Sequence, residues 1–120
     1  MGARVRSDAT LARDAIEGVL AVCDTLAELT EIGYEEFAAD VRSQWAVEMG
    51  LIRIGEGVNR VPRAVLETFD GQPWRLIVAM RNFAAHQYDD LDPLRVWRTV
   101  TSDVPVLRTY LADVVLVALA

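Results

Sequence analysis

Apolar residues recur along this chain at spacings of three and four, and no run alternates apolar and polar positions for more than a few residues. That period belongs to helices rather than to strands. Ser7 or Asp8 is placed to cap a first helix reaching about Leu29, with Leu11, Ala15, Val19, Val22 and Leu26 along one stripe. The stretch from Thr30 to Gly33 interrupts the pattern. A second helical stretch is predicted from Tyr34 or Glu35 to about Asn59, stopping before Pro62, with Asp40 as an N-cap that divides it into two pieces. Its apolar positions are Phe37, Val41, Trp45, Val47, Leu51, Ile54 and Val58. A short helix from Arg63 to Phe69 ends at Asp70-Gly71, and Gln72-Pro73 opens a further helix to about His86. Asp92-Pro93 repeats that start signal for a last helix, which Pro105 should kink or divide. The fold class expected is all-α: an up-and-down bundle of four principal helices plus one short helix, in a single domain over 1–120 with residues 1–7 as a tail.

The glycines at 55 and 57 fall inside the second stretch, in Gly55-Glu56-Gly57. No strand precedes them and their spacing is wrong for a phosphate loop, so close approach of a neighbouring helix is the better explanation. Trp74, Val78, Ala85 and the run Val114–Ala120 offer apolar surface beyond what one small bundle needs, which points to association with a second copy.

Composition narrows the chemistry. The chain has 120 residues, 52% of them hydrophobic, which is enough for one core and too few for two domains. Its formal net charge is −6, a poor match to a protein that grips long nucleic acid through a broadly basic surface. The charge is uneven, however. Residues 71–98 hold four Arg against three acids, whereas the acids dominate elsewhere. All twelve basic residues are Arg, so Lys-based chemistry, whether a phosphate-loop lysine or a Schiff base, is excluded. Cys23 is the only cysteine and His86 the only histidine, so neither a disulfide within the chain nor a Cys/His zinc site can be built. Cys23 lies in the apolar run Val19-Leu20-Ala21-Val22-Cys23, as a structural thiol would. With no leader and no run of the length a membrane span needs, a cytoplasmic location is expected.

The segment Met80 to Tyr88 gathers the polar groups capable of chemistry: Arg81, Asn82, His86 and Tyr88. On an unbroken helix His86 would stand about 140° around the axis from Arg81. An imidazole that titrates near neutrality can move a proton, and a guanidinium fork can hold phosphate oxygens. Cutting RNA without a metal needs both services: a base for the 2′-OH, an acid for the departing 5′-oxygen, and charge stabilisation between them. The same pair at a helix end can equally serve only to cap carbonyls and complement the helix dipole, with Tyr88 a packing residue.

Arg81-Asn82-x-x-x-His86-x-Tyr88 resembles the Arg-x4-His-x-Tyr motif of HepT-like proteins in the HEPN superfamily. Glu35-Glu36-Phe37 with Asp40, Ile54-Gly55-Glu56, Pro73-Trp74, the stretch Asp92 to Trp97 and Asp103-Val104-Pro105 are similar to the same family in its usual order, so the likeness covers about residues 8 to 118. Gly57, where relatives more often carry Ala, departs from it. The resemblance implies a metal-independent endoribonuclease, the toxin of a toxin–antitoxin pair, with no cofactor and with RNA as substrate. It implies a homodimer with both motifs facing one cleft, in which Arg81 and His86 are the catalytic pair and Asn82 supports them. Tyr88 would be the tyrosine adenylylated by a cognate minimal nucleotidyltransferase antitoxin of the MntA type. The alternative is a catalytically silent HEPN dimer that binds a nucleotidyltransferase partner or nucleotides; a third class, a purely structural helical dimer, gives no reason for the motif.

Overall fold

The computed structural model describes residues 7–82 and 92–120. Every regular element among them is helical. Helix α1 (Asp8–Leu29) opens at Ser7, whose extended backbone places its hydroxyl oxygen 3.1 Å from the Thr10 amide that donates to it. It closes through a 3-10 turn, Thr30–Ile32, and Gly33 then turns the chain at φ 84°, a backbone conformation that side chains disfavour. Helix α2 (Tyr34–Ala39) is separated from α3 (Val41–Asn59) by Asp40. One carboxylate oxygen of Asp40 accepts from the Arg42 amide at 3.1 Å and the other from the Ser43 hydroxyl at 2.7 Å. The division expected at this aspartate is therefore real, and its cause is a side-chain cap.

The core face of α1 is Ala12, Ile16, Val19, Cys23 and Leu26, rather than the stripe read from the sequence. Val19 and Leu26 belong to both, but Leu11 is 37% exposed, and Ala15 and Val22 are only partly buried. Helix α1 is apolar over a wide arc, so its neighbours, not its own pattern, choose which edge is covered. The apolar positions of α3 likewise divide between core and surface. Val47, Leu51, Ile54 and Val58 are in the core, whereas Val41 and Trp45 are 51% and 67% exposed.

Helix α4 (Arg63–Thr68) is the expected short helix, and α5 (Trp74–Ala79) starts one residue later than expected, with Pro73 as its N-cap. The loop between them is tied to the end of the molecule. The Gly71 amide donates to the Tyr110 hydroxyl at 3.0 Å, and a Cβ at Gly71 would fall 2.5 Å from the Tyr110 ring, so a side chain there would have to displace that ring. Trp74 is not free surface: its indole N–H donates to the carbonyls of Phe69 (2.6 Å) and Leu66 (3.1 Å), and its ring lies 6.0 Å from that of Tyr110. Val78 also packs against the core, which removes both residues from the surface expected to bind a second copy.

The last stretch is one rod. Helices α6 (Pro93–Arg98), α7 (Val104–Tyr110) and α8 (Val117–Leu119) are joined by π-helical segments, Thr99–Asp103 and Leu111–Leu116, with right-handed helical dihedrals at each junction. Asp92 caps its start, accepting from the Leu94 amide at 3.0 Å, with Pro93 in the first turn as expected. Pro105 neither breaks nor sharply divides the rod. Proline offers no N–H to the carbonyl four residues back and crowds it, and the turn before α7 opens to the wider π register instead. The widening also serves the core. Val96, Val100, Val104, Leu107, Leu111 and Val115 are all buried, mostly four residues apart. In a regular helix each step of four drifts about 40° past a full turn; wider turns keep this stripe facing inward. At its far end the rod is fastened to α1 by Arg13, whose guanidinium donates to the Leu119 carbonyl at 2.7 Å. Among the described residues no helix is long and apolar enough to cross a membrane.

Candidate active site

Arg81 follows α5 on a 3-10 turn, Met80–Asn82, and two features hold that turn in place. Upstream, Trp74 anchors the start of α5 and Ile77 buries its inner face. Downstream, the turn lies directly on α3 at Gly55. A Cβ on Gly55 would stand 2.7 Å from the Arg81 amide nitrogen, 3.0 Å from the Val78 carbonyl oxygen and 3.1 Å from that of Ile77. Those two carbonyls also accept from the Met80 amide, which closes the last turn of α5. The close helix approach expected at Gly55-Glu56-Gly57 is therefore present, in two directions: Gly55 meets α5, while a Cβ at Gly57 would meet the Val19 side chain of α1 at 2.5 Å.

Regular α-helix runs to Ala79 and a 3-10 turn follows, Met80–Asn82; the expected continuation to about His86 lies outside the described residues. Arg81 is half-buried and Asn82 exposed. His86 and Tyr88 lie outside the described residues, as does Ala85.

Other reactive groups are held away from chemistry. Cys23 is buried in the core, where loss of water and the nearby Asp24 carboxylate push its thiol up to about 11. Asp24 itself receives Arg108 in an exposed ion pair at 2.7 Å. Glu48, partly buried on α3, is raised by burial. Among the described residues no group of three His, Cys, Asp or Glu side chains is placed to share a metal ion. The groove between α1 and α3, about 560 Å³ and bordered by Gly18, Met49, Arg53 and Arg60, does not include Arg81.

Gly55 is the residue whose role was least visible beforehand. Its spacing announced a close contact, but the identity of the segment it touches is a non-local fact. Trp45, by contrast, is one of the apolar positions of its helical stretch and yet lies on the surface.

The family model for ribonuclease HepT-like proteins matches residues 19–114. A protein of Thermococcus cleftensis named "Probable ribonuclease HepT" is 32% identical over 97 residues, covering 80% of this chain and 88% of that one. Two proteins whose names make them candidate RNases are similar as well. One, from Methanocaldococcus jannaschii, is 31% identical over 91 residues, covering 75% of this chain and 78% of its own. The other, from Caldanaerobacter subterraneus subsp. tengcongensis, is 28% identical over 103 residues, covering 85% and 92%. No solved structure matches the chain. A match to most of the chain, in a helical bundle that seats Arg81 on a backbone-to-backbone contact, makes this protein a member of the ribonuclease HepT-like family.

Proposed function

We propose that this protein is an endoribonuclease that cuts RNA without a metal ion, as the toxin of a toxin–antitoxin pair. The observation that carries the reading is Arg81-Asn82-x-x-x-His86-x-Tyr88 inside a chain of this family. In the reaction one imidazole of His86 takes the proton of the ribose 2′-OH. The 2′-oxygen attacks phosphorus, the bond from phosphorus to the 5′-oxygen breaks, and a second, protonated imidazole returns a proton to that oxygen. The products are a 2′,3′-cyclic phosphate and a free 5′-OH. Arg81 holds the non-bridging oxygens as charge builds on them, with Asn82 beside it as a further donor.

Each chain has one histidine, so acid and base together require two chains. The reading therefore includes a symmetric homodimer with both motifs at one cleft. A surface suited to it is the exposed stripe Val41, Trp45 and Met49 on α3, which stands about 80° around the helix axis from Gly55 and the Arg81 turn. Control falls to Tyr88. An adenylyl group placed there by a cognate nucleotidyltransferase adds bulk and negative charge near the phosphate site and competes for Arg81.

The test is cleavage of labelled RNA by the purified protein in the presence of chelator. His86→Ala and Arg81→Ala should remain folded and lose about a hundredfold or more in kcat. A His86→Ala protein that cuts as fast as the wild type would remove His86 from the mechanism. The acidic charge of the chain favours a second reading, a silent dimer that only binds its partner; that reading expects no cleavage by the wild type. Tyr88→Phe should keep toxicity and escape neutralisation by the nucleotidyltransferase with ATP. Intact-mass analysis after co-expression decides this point, because silenced but unmodified chains would mean inhibition by docking alone.

A further inference from the structure

We propose that Gly55 is a positioning residue for Arg81: by carrying no side chain it lets α3 touch the backbone of the turn Met80–Asn82, and this contact sets where the guanidinium stands. The inference rests on the reading of Arg81 as the phosphate ligand in RNA cleavage. Three atoms face the empty position at 55, the Arg81 amide nitrogen and the carbonyl oxygens of Val78 and Ile77, all within 3.1 Å of where a Cβ would be. All three are backbone atoms, and none can rotate aside as a side chain can. A methyl group there must push the turn outward or tilt the end of α5.

The other glycines show that this arrangement is particular to Gly55. At Gly50, one turn and a half earlier on α3, a Cβ would meet only the Leu26 side chain, its Cδ2 at 2.5 Å, and that end can change rotamer. At Gly57 the close neighbour is again a side chain, Val19 at 2.5 Å, and the one backbone atom, the Ala15 carbonyl oxygen, is at ordinary contact distance, 3.9 Å. Glycine lowers helix propensity at each of these positions, so helix formation alone would favour alanine at all of them. Only at 55 does alanine act on the backbone that carries a functional residue. The Arg81 turn is exposed on its other side at Asn82, so it has room to move outward without disturbing the core. A displacement of this kind separates positioning from folding: the bundle survives while the donor fork misses the phosphate. Displacements of about 1 Å at a reacting centre can cost about a hundredfold in rate.

Steady-state RNA cleavage is compared for the wild type, Gly55→Ala, Gly50→Ala, Arg81→Ala and the Gly55→Ala/Arg81→Ala double variant, with thermal midpoints for each. Gly55→Ala is expected to lose about tenfold to a hundredfold in kcat with KM nearly unchanged, while Gly50→Ala keeps its kcat. The double variant should be no slower than Arg81→Ala, since a residue that acts through Arg81 has nothing left to position. Full activity of Gly55→Ala beside a disabled Arg81→Ala, or losses that multiply in the double variant, would overturn the proposal. If the wild type does not cleave RNA, the ribonuclease reading fails separately, and positioning is then read from amide resonances. Those of Met80 and Arg81 should shift in Gly55→Ala and stay in place in Gly50→Ala; an unmoved Arg81 amide overturns it. If Gly55→Ala does not fold, the wild type must show a strong nuclear Overhauser effect between the Gly55 α-hydrogens and the Arg81 amide, and its absence overturns the contact.

Discussion

Burial pushes the Cys23 thiol from its ordinary 9.0 up to about 11, and the Asp24 carboxylate adds to the shift against smaller opposing pulls from Arg108 and a backbone hydrogen bond. The thiol is therefore protonated and sealed in the core across the physiological range, which suits a packing residue and disqualifies a nucleophile. The shift also carries a consequence for stability. Below pH 9 the thiol is protonated in the folded and unfolded chain alike, and nothing changes. Between 9 and 11 the unfolded chain releases this proton and the folded chain keeps it, so stability falls as pH rises through that window. Thermal midpoints measured from pH 8 to 11 should decline more steeply for the wild type than for Cys23→Ala. Parallel curves would show that the thiol does not contribute. The lone cysteine should also resist alkylation at pH 8 until denaturant opens the core.

Individual elements begin and end where short-range chemistry dictates. Asp40 is held below the usual carboxylate range, first by the Ser43 hydroxyl and then by the Arg42 amide, because both donate to the charged form. A depressed pKa means that its contribution is present above the ordinary 3.8 and is lost as pH falls through the folded value. Asp40→Ala should lower the thermal midpoint at pH 7, and the gap to the wild type should narrow in acid, below pH 3.8. A gap unchanged by acid would mean that the cap does not act through its charge. Local signals of this kind made element boundaries legible in the sequence: Ser7, Asp40 and Asp92 are side-chain caps, and Gly33 is the one described residue that takes a positive φ. The choice of faces was less legible. Leu11 and Ile16 lie on one broad apolar arc of α1, and only the position of α3 and the C-terminal rod puts Ile16 inside and Leu11 at the edge. Pro105 announced a disturbance of the last helix, but its form, a π-helical turn, depends on a core stripe spaced by fours. For the site, Arg81 could be named from its motif, while the glycine beneath its turn could not be matched to it until the fold brought the two together.

At the scale of the molecule, one described face stands out against the proposed chemistry. Val41, Trp45 and Met49 recur every four residues along α3 and are 51%, 67% and 50% exposed, although their helix buries its opposite side completely. Among the described residues Trp45 makes no ring contact, whereas Tyr34 and Phe37 both pack on Trp97, at 5.8 and 5.1 Å. A solvent-facing tryptophan flanked by aliphatic neighbours suits the centre of an interface, where aromatic side chains contribute most of the binding. The C-terminal rod also exposes Val114 and Val117, but the α3 stripe is on the helix whose Gly55 touches the turn that bears Arg81, so pairing through α3 is the arrangement expected to bring two copies of the motif toward one cleft. Trp45→Glu places a charge on this stripe without touching the core, so the variant should fold with a near-normal helical spectrum. Sedimentation at micromolar concentration should show the wild type as a dimer and Trp45→Glu as a monomer, and RNA cleavage should fall with the loss of the dimer. Activity should recover in part at high protein concentration, where mass action restores the pair. A Trp45→Glu protein that stays dimeric would move the interface elsewhere. A wild-type monomer with full activity would go further and show that one imidazole per site is enough.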